Sequence, residues 1–399
     1  MNVVHKYGGT SVATAEKIKA VADRVAEIKK AGNNIAVVAS AMGKTTNQLI
    51  ELAKTITGSP SKRELDALMS TGEQTTVALI AMALQERGVP AVSLTGFQCG
   101  FITDEYYSKA TILDIDSTRL EQIIADGKVP VITGFQGITP FGDITTLGRG
   151  GSDTTAVAVA AKLGWDCEIY TDVDGIFTID PRKCEKAKKL AKISCDEMME
   201  LSAMGAGVLE TRSVELAKKY SVNLYLGRSL EIDKAKGTYV VNKYFEDVAV
   251  TGIGVMEDCA MVSVRCPFGS GMVSRIFAEI ARLNINVDMI SQQQINENTN
   301  MLSFSCSSES ADKLAKIMKA GELPYEFTIM PSLAKISLVG AGMVTHSGVA
   351  AKAFETLYDA GVEYYQITTS EISISMTIDK ENLQKACEVL TKAFELCEE

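Results

Sequence analysis

The sequence predicts an α/β fold with a mainly parallel sheet, followed by a smaller module that occurs twice. Apolar runs typical of buried parallel strands, such as residues 35–39 and 129–133, alternate with the three- and four-residue spacing of amphipathic helices. Glycine clusters follow some of these runs, where ligands bind in α/β sheets. Beyond about residue 246, Gly271 and Gly348 open helices at matching points of a weak internal repeat.

Strands and helices alternate throughout the first part of the chain. The predicted strands are residues 3–4, 35–39, 89–94, 129–133, 167–171 and 222–226. The predicted helices lie near residues 18–28, 47–57, 73–84, 117–125, 154–163 and 211–220. This alternation is the pattern of a parallel sheet covered by helices, with its binding edge at the carboxyl ends of the strands.

The composition is that of a soluble globular protein of two or three domains. The 399 residues carry a formal charge of −10, and 46% are hydrophobic. The negative charge argues against nonspecific binding to nucleic acid or an anionic membrane. We find neither a secretory signal nor an apolar run of about 18 residues. Nine cysteines without a C-x-x-C pair and only two histidines disfavour zinc. We expect a cytoplasmic protein with mostly buried free thiols.

The first loop, residues 6–11, reads Lys-Tyr-Gly-Gly-Thr-Ser between a strand and a helix. Gly8 and Gly9 let the backbone approach a ligand and present its N–H groups. The helix start adds partial positive charge, and Lys6 adds a full charge at the strand end. The segment therefore predicts either a phosphate site or an ordinary strand-to-helix turn with an exposed lysine.

Two further segments offer polar contacts for a substrate. Residues 43–45 resemble the end of a P-loop, but Val38 occupies the position of its first glycine, so we reject a P-loop. The hydroxyl groups of Ser40 and Thr46 remain candidates for contacts with a substrate. In Ser-Thr-Gly-Glu at residues 70–73, Glu73 is interpreted either as a capping carboxylate in the first turn of a helix or as a receptor for a substrate ammonium.

The second glycine cluster, residues 148–153, leads directly into a helix. It places Arg149, Ser152 and Asp153 beside three glycines, and it lacks the spacing of a dinucleotide-binding fingerprint. Arginine binds carboxylate or phosphate through two parallel hydrogen bonds. Asp153 is either a functional carboxylate or a plain helix cap.

The segment at residues 171–182 follows a strand and contains Asp172 and Asp174. An EF-hand loop would need further oxygen ligands and a glutamate at its twelfth position, and these are missing. A turn that faces a nucleotide is the better interpretation. We place a domain boundary near residue 245, after which each repeat has the β-α-β-β-α order of a ferredoxin-like unit.

Taken together, residues 6–11, 70–73, 148–153 and 171–182 resemble the aspartate kinases of the amino-acid kinase family, and the repeats resemble tandem ACT domains. The resemblance covers nearly the whole chain. It implies a three-layer catalytic domain at residues 1–245 and a regulatory region at residues 246–399. Within that region the ACT units would be about residues 259–330, and 246–258 joined with 331–399.

The resemblance implies transfer of the γ-phosphoryl group of ATP, with Mg²⁺, to the side-chain carboxylate of L-aspartate, the first step towards lysine, threonine and methionine. That nucleophile is already ionised at pH 7, so no general base is needed. Lys6 would stabilise the transferring group with the N–H groups of Gly8 and Gly9, and Asp153 would hold Lys6. Arg149 would bind the substrate α-carboxylate and Glu73 its α-ammonium. The remaining implied contacts are Thr46 and Ser152 with substrate, and Ser11, Thr171, Asp172, Phe177 and Arg182 with the nucleotide.

Two departures from the family pattern concern the nucleotide. Many relatives carry tyrosine where this chain has Phe177, and often lysine where it has Gly207. The hydroxyl contact and the ammonium are lost in this chain, although the implied catalytic set is intact.

The regulatory region would bind an amino-acid effector, with lysine favoured and threonine second. The implied contacts are Gly271, Met272, Val273, Val287 and Asp288, with the helix start holding the effector carboxylate. Asp288 is interpreted either as a partner for a cationic side chain or as a solvated residue at a strand end. The ACT units would also form a homodimer, or a tetramer.

Other functions remain open at this point. A kinase of the same fold acting on glutamate or N-acetylglutamate is one, although Glu73 would suit a free ammonium rather than an acetylated amine. A catalytically silent amino-acid sensor is another, although Lys6, Arg149 and Asp153 are all present. A uridylate kinase is disfavoured because the ACT pair would have no evident role there.

Overall fold

The computed structural model describes residues 2–205, 207–231, 233–242, 248–267, 271–283, 285–319 and 327–398. The chain forms two compact units. The first comprises Met1–Ile176, Lys189–Ser202 and Gly207–Phe245, and the second comprises Phe177–Lys188, Ala203–Ala206 and Glu246–Glu399. The second unit therefore includes a short segment, Phe177–Lys188, from the middle of the predicted catalytic domain.

Fourteen described strands begin in the first unit. They are β1 Asn2–Tyr7, β2 Asn34–Ala39, β3 Ala91–Leu94, β4 Phe101–Thr103, β5 Ile112–Ile115, β6 Val129–Thr133, β7 Gln136–Ile138, β8 Ile144–Thr146, β9 Asp166–Thr171, β10 Ile176–Phe177, β11 Lys189–Leu190, β12 Lys192–Ser194, β13 Leu224–Arg228 and β14 Thr238–Val241. Eight of them form the main sheet, in the order β12-β14-β13-β9-β1-β2-β6-β3. All its pairs are parallel except β13 with β14.

Helices cover both faces of this sheet. They are α1 Ala15–Lys30, α2 Thr45–Ile56, α3 Lys62–Glu86, α4 Thr118–Ala125, α5 Gly151–Leu163, α6 Cys195–Ala203 and α7 Thr211–Tyr220. Apolar side chains of α1 and α3 share a core with β1, β2 and β6. Helix α5 packs against β1, β2 and β9 and against α7. The predicted three-layer α/β fold is therefore confirmed.

Successive side chains of β1 serve these two layers alternately, because side chains of a strand alternate between faces. Tyr7 packs into the core beneath α1 and α3. Lys6 points to the opposite face, where it meets Asp153 of α5. One face of β1 therefore packs into the apolar core, and the other face presents the Lys6 ammonium to Asp153.

A four-stranded sheet, in the order β5-β4-β7-β8, was not predicted. Its strands have only three or four residues, too short for a clear apolar alternation. A fully buried aspartate, Asp66, attaches α3 to this region by accepting hydrogen bonds from the backbone and hydroxyl groups of Ser108 and Thr146.

The second unit contains one six-stranded antiparallel sheet among its described residues. Its elements are β15 Gly252–Pro267, β16 Ile290–Asn296, β17 Thr299–Cys306, β18 Phe327–Val339, β19 Tyr364–Thr369, β20 Ser373–Asp379, α8 Met272–Arg282, α9 Ser308–Lys319, α10 Val349–Asp359 and α11 Leu383–Ala393. The strand order is β16-β17-β15-β18-β20-β19.

The two long strands of this sheet serve both repeats. Strand β15 pairs with β18 from Gly252 to Met256, and again from Cys259 after a shift in register. Its second part pairs with β17, whereas the later part of β18 pairs with β20. Two ferredoxin-like units therefore share a continuous sheet, and their apolar cores are separate.

The structure corrects two details of the predicted elements. Residues 70–73 do not open a helix, because α3 begins at Lys62 and continues without a break through Gly72. In the second unit the sequence also predicts a strand at residues 285–287, whereas the strand after α8 begins at Ile290.

Two predictions about the whole chain can be compared with the described residues. Among them, none of the helices combines the length and apolar character needed to span a bilayer. The cysteines are free, and all except Cys184 and Cys397 are buried, as predicted.

Candidate active site

The centre of the site is an ion pair between Lys6 and Asp153. Lys6 lies near the end of β1, and Asp153 lies in the first turn of α5. Lys6 Nζ is 2.6 Å from Asp153 Oδ1, and the two side chains are only 11% and 10% exposed. Gly150, not Asp153, caps the helix, so the plain helix-cap interpretation of Asp153 is wrong. An ammonium held by one carboxylate at a strand end is well placed to receive a phosphate.

The first loop follows directly and is packed tightly. A Cβ atom on Gly9 would lie 2.8 Å from the carbonyl oxygen of Ala41, so only glycine fits there. Gly8 N–H donates to the carbonyl oxygen of Tyr170 at 3.1 Å. A backbone carbonyl therefore accepts from the Gly8 N–H group in this structure, and the contact of Gly8 with phosphate stays a prediction.

Glu73 is a buried carboxylate with an incomplete set of partners. Its Oε1 accepts from Ala41 N–H at 3.2 Å, whereas Oε2 has no hydrogen-bond partner among the described residues. Burial raises the pKa of Glu73 to about 7. The capping interpretation is wrong because Glu73 lies in the middle of α3. A buried oxygen without a donor suits the ammonium group of a ligand.

Hydroxyl groups lie directly after β2 and at the start of α5. Ser40 Oγ donates to Ser152 Oγ at 2.9 Å. A Cβ atom on Gly134, just after β6, would lie 2.4 Å from Ser152 Oγ, so this glycine leaves room for the serine. Thr46 is half-buried in the first turn of α2, which packs against α3.

Arg149 is exposed between two glycines that have left-handed backbone angles, Gly148 and Gly150. A Cβ atom on Gly150 would lie 2.3 Å from Cβ of Glu210. Burial raises the pKa of Glu210, and the charge of Asp153 adds to this, whereas that of Arg149 opposes it. Glu210 is a neighbour of the site that sequence reasoning missed, because nothing in the sequence relates it to the glycine cluster at residues 148–153.

Residues predicted to hold the nucleotide meet where β1, β9 and β13 end. Ser11 Oγ hydrogen-bonds Ser229 Oγ, which also donates to the carbonyl oxygen of Thr171 at 2.8 Å. Thr171 Oγ1 donates to Asp172 Oδ1 at 3.1 Å. Ser229 was not predicted, since nothing in the sequence relates it to Ser11.

The turn after β9 contains two aspartates, Asp172 and Asp174. Asp174 is paired with Arg228, at 2.5 Å between Oδ1 and Nε. No group of three or more His, Cys, Asp or Glu side chains suitable for a metal ion occurs among the described residues.

Two predicted nucleotide ligands belong to the second unit. Phe177 is half-buried against that unit's apolar core. Arg182 is 89% exposed and pairs with Asp180 at 2.6 Å between Nη2 and Oδ2. Gly207 lies in a turn of the first unit, and a Cβ atom there would meet nothing within 4 Å. The nucleotide set predicted as one cluster is thus divided between the two units.

The predicted effector residues lie in the second unit. Gly271 has a φ of 64° and caps α8, and its contact with an effector carboxylate stays a prediction. Met272, Val273 and Val287 pack partly against the core of the first repeat. Asp288 forms an ion pair with Lys335, whose side chain is only 2% exposed. The sequence suggests that Asp288 either pairs with a cationic effector or is solvated at a strand end. In the structure Asp288 pairs with the ammonium group of Lys335.

The chain is similar to known proteins over its whole length. A model of the amino acid kinase family matches residues 1–227, and an ACT domain model matches residues 336–394. An aspartokinase from Geobacillus stearothermophilus is 46% identical over 404 residues, covering 100% of this chain and 98% of the relative.

The chain belongs to the aspartokinase family. The resemblance inferred from its motifs is therefore confirmed. Escherichia coli aspartokinase III in complex with aspartate and ADP shares the fold, with a TM-score of 0.82, 23% identity, and coverage of 98% of this chain and 99% of the other. The same enzyme in complex with lysine and aspartate gives a TM-score of 0.75 at 25% identity, with 100% of both chains covered.

Proposed function

We propose that this aspartokinase transfers the γ-phosphoryl group of MgATP to the side-chain carboxylate of L-aspartate, giving 4-phospho-L-aspartate and ADP. The observation that carries the proposal is the buried Lys6–Asp153 pair at the carboxyl edge of the parallel sheet. Full-length relatives named aspartokinase support the substrate. We place this activity in the cytoplasm, where ATP is available and free thiols persist.

The chemistry requires positioning and charge rather than proton transfer. The aspartate carboxylate is ionised at pH 7 and attacks phosphorus directly. Lys6 offsets the charge that develops on the transferring group, and Asp153 keeps the ammonium in place. Magnesium supplies further charge stabilisation when it is bound with the nucleotide phosphates. The Gly9 N–H group, Ser11, Thr171 and Asp172 of the first unit remain the proposed nucleotide contacts.

The polar groups beside the ion pair account for aspartate as the acceptor. Glu73 Oε2 would receive the α-ammonium, which provides the partner that this buried oxygen lacks among the described residues. Exposed Arg149 would bind the α-carboxylate in a bidentate manner. Thr46 and Ser152 would add hydroxyl contacts. An acetylated amine cannot pair with Glu73 as an ion, so N-acetylglutamate is a poor alternative.

Trapping the acyl phosphate with hydroxylamine tests this proposal directly. We expect hydroxamate from ATP, Mg²⁺ and L-aspartate, and at least about 100-fold less from L-glutamate or N-acetyl-L-glutamate, because their extra methylene or blocked amine misplaces the nucleophile. Equal product from glutamate would overturn the substrate assignment. No product from folded protein that still binds amino acids would favour the sensor.

We also propose that residues 246–399 act as a regulatory region with two ACT units, at about residues 259–330 and at 246–258 plus 331–399. The register shift in β15 lies close to that division. Lysine is the first effector to test, because a relative of the same fold is described in complex with lysine and aspartate. The start of α8 at Gly271 would hold the effector carboxylate. Threonine is the second candidate.

Assembly through the second unit is part of the same proposal. Every residue of β16 is exposed, and one side of this edge strand has unpaired backbone groups within the described sheet. Pairing of such edges in a second copy would give a homodimer, or a tetramer. Light scattering of the purified chain would show a monomer if this part is wrong.

A further inference from the structure

A polar network lies beneath β1 and β9, on the opposite face from Lys6. At its centre is Glu168, which is 3% exposed. Glu168 Oε2 accepts from Tyr170 Oη at 2.6 Å and lies 3.0 Å from His5 Nε2, while Oε1 pairs with Lys234. None of these groups has a place in the phosphoryl transfer described above.

The charges in this network are fixed at neutral pH. Burial alone would raise the pKa of Glu168, but His5, Lys234 and Tyr170 outweigh it and bring the pKa down to about 2. Burial lowers the pKa of His5, so its ring is neutral. A neutral ring with its proton on Nε2 donates to Glu168 and can accept from Tyr7 Oη at Nδ1, 3.1 Å away. Glu168 is therefore ionised at neutral pH and accepts the hydrogen bond that Tyr170 Oη donates.

Arg24 of α1 connects this network to the loop after β13. Its guanidinium lies 4.0 Å from the centre of the Tyr170 ring and donates to Tyr170 Oη. Its Nη1 donates to the carbonyl oxygens of Ser229 at 3.0 Å and Glu231 at 2.8 Å. One planar group thus fixes a strand-end tyrosine and two loop carbonyls.

The loop held by Arg24 contacts the proposed nucleotide residues. Ser229 reaches Ser11 Oγ and the Thr171 carbonyl oxygen through its hydroxyl, and its N–H donates to the same carbonyl at 3.0 Å. We propose that Arg24 and Ser229 are positioning residues for the nucleotide side of the site. They act through Ser11 and Thr171 and contact no reacting atom. This inference rests on the proposed function in taking those two residues as nucleotide ligands.

The inference predicts a selective effect because the aspartate side is built from other elements. Glu73 is held by α3 and the backbone of Ala41, and Ser152 by Ser40. Loss of the Arg24 contacts should therefore loosen the nucleotide edge and leave aspartate binding unchanged. A merely destabilising change would affect both substrates or neither.

The experiment compares Arg24→Lys and Ser229→Ala with a matched control, Arg87→Lys. Arg87 is half-buried like Arg24, pairs with Asp23 of α1, and donates to the carbonyl oxygens of Lys19 in α1 and Ala83 in α3. We expect the KM for ATP to rise about 10-fold in Arg24→Lys and about 5-fold in Ser229→Ala, from the loss of one or two hydrogen bonds. The KM for aspartate should change less than about twofold, and Arg87→Lys should change neither.

Calorimetric titration with ADP provides a readout that does not need turnover. The dissociation constant for ADP should rise in parallel with the KM for ATP in both variants. Unchanged ADP binding in folded Arg24→Lys and Ser229→Ala, or equal increases in the KM values of both substrates, would overturn the inference. If the wild-type chain bound ADP without kinase activity, the proposed function would fail while this test could still be carried out.

Discussion

The two compact units each contain a lysine–aspartate ion pair, and solvent reaches the two pairs differently. In the first unit Lys6 and Asp153 are about equally covered, at 11% and 10% exposure. In the second unit Lys335 is 2% exposed whereas Asp288 is 47% exposed. The first pair is therefore covered at both side chains, whereas the second joins a buried lysine to a half-exposed carboxylate.

The difference indicates two roles. Lys6 lies at the end of a parallel strand, where ligands bind in α/β sheets, so its ammonium can exchange part of its contact for a phosphate. Lys335 lies within β18 and pairs across the sheet with Met256 and Thr377. Because removing a buried lysine from water is costly, Asp288 offsets that cost and connects β18 to the segment before β16. In the proposed mechanism the first pair serves phosphoryl transfer, whereas the second pair connects β18 to the segment before β16.

Substitution of Lys6 should have the largest effect, and it tests whether the two ion pairs differ in role. Lys6→Ala should lower kcat by about 10³-fold with less than about threefold change in the KM for aspartate, because the charge acts on the transferring group. Lys17→Ala is the matched control, since Lys17 Nζ binds the Thr10 carbonyl oxygen of the same loop at 2.7 Å. Steady-state kinetics would contradict the role of Lys6 if both variants kept the wild-type kcat.

Glu73 extends the comparison to a buried carboxylate in the first unit. Its Oε2 atom has no hydrogen-bond partner among the described residues. Its pKa of about 7 means that the carboxylate is lost below pH 7, so the KM for aspartate should rise up to about tenfold per pH unit there and level off above. Glu73→Gln should give a high KM for aspartate, about 30-fold above wild type at pH 8, that no longer depends on pH between 6 and 8.

Thermal unfolding of the same variant provides an independent measure. The folded-state pKa of Glu73 is raised above the unfolded value of 4.5, so its stabilising effect is present below pH 4.5 and lost as the pH rises through about 7. Glu73→Gln should therefore have a higher Tm than wild type at pH 8 and no such advantage at pH 4.5. Glu64→Gln, on the exposed part of α3, should show neither effect. A pH-dependent KM in Glu73→Gln would assign the titration to another group.

Lys335→Met tests the role of the ion pair in the second unit and should have the smallest effect on catalysis. We expect basal kcat to change less than about twofold, since no proposed catalytic group contacts Lys335. Removal of the buried ammonium leaves Asp288 half-exposed in water, which makes the carboxylate available to a cationic effector. The lysine concentration for half-maximal inhibition should therefore fall, about tenfold, while that for threonine stays constant.

A control lysine in the same unit is Lys313, whose ammonium binds the carbonyl oxygen of Leu283. Lys313→Met should not alter the response to either amino acid. If Lys335→Met abolished basal activity without unfolding the protein, the structural role of the second pair would be refuted.

The parts of the fold and site that could be predicted depend on local sequence. Apolar periodicity identified the parallel strands, and the glycines beside Lys6 and before Asp153 marked strand-to-helix turns because few other residues accept those backbone positions. The matching glycines Gly271 and Gly348 likewise revealed the repeat, and both cap helices with left-handed backbone angles.

The parts that could not be predicted depend on contacts between distant residues. The helix around Glu73 continues through Gly72 because that glycine packs closely against Ala41, where a Cβ would lie 2.9 Å from the alanine Cβ. Segment Phe177–Lys188 joins the second unit through tertiary hydrogen bonds, such as Thr178 Oγ1 to the Leu396 carbonyl oxygen at 2.5 Å. The pairing of Asp288 with Lys335 spans 47 residues and leaves no local pattern.

The most direct test of the central claim is a single turnover of acyl phosphate formation, with enzyme in excess over ATP and aspartate at saturation. Product release does not limit this rate, so it reports the chemical step at Lys6. We predict that Lys6→Ala slows the single turnover by about 10³-fold, whereas Lys335→Met matches the wild type within about twofold. A Lys6→Ala enzyme that completes the turnover at the wild-type rate would contradict the account.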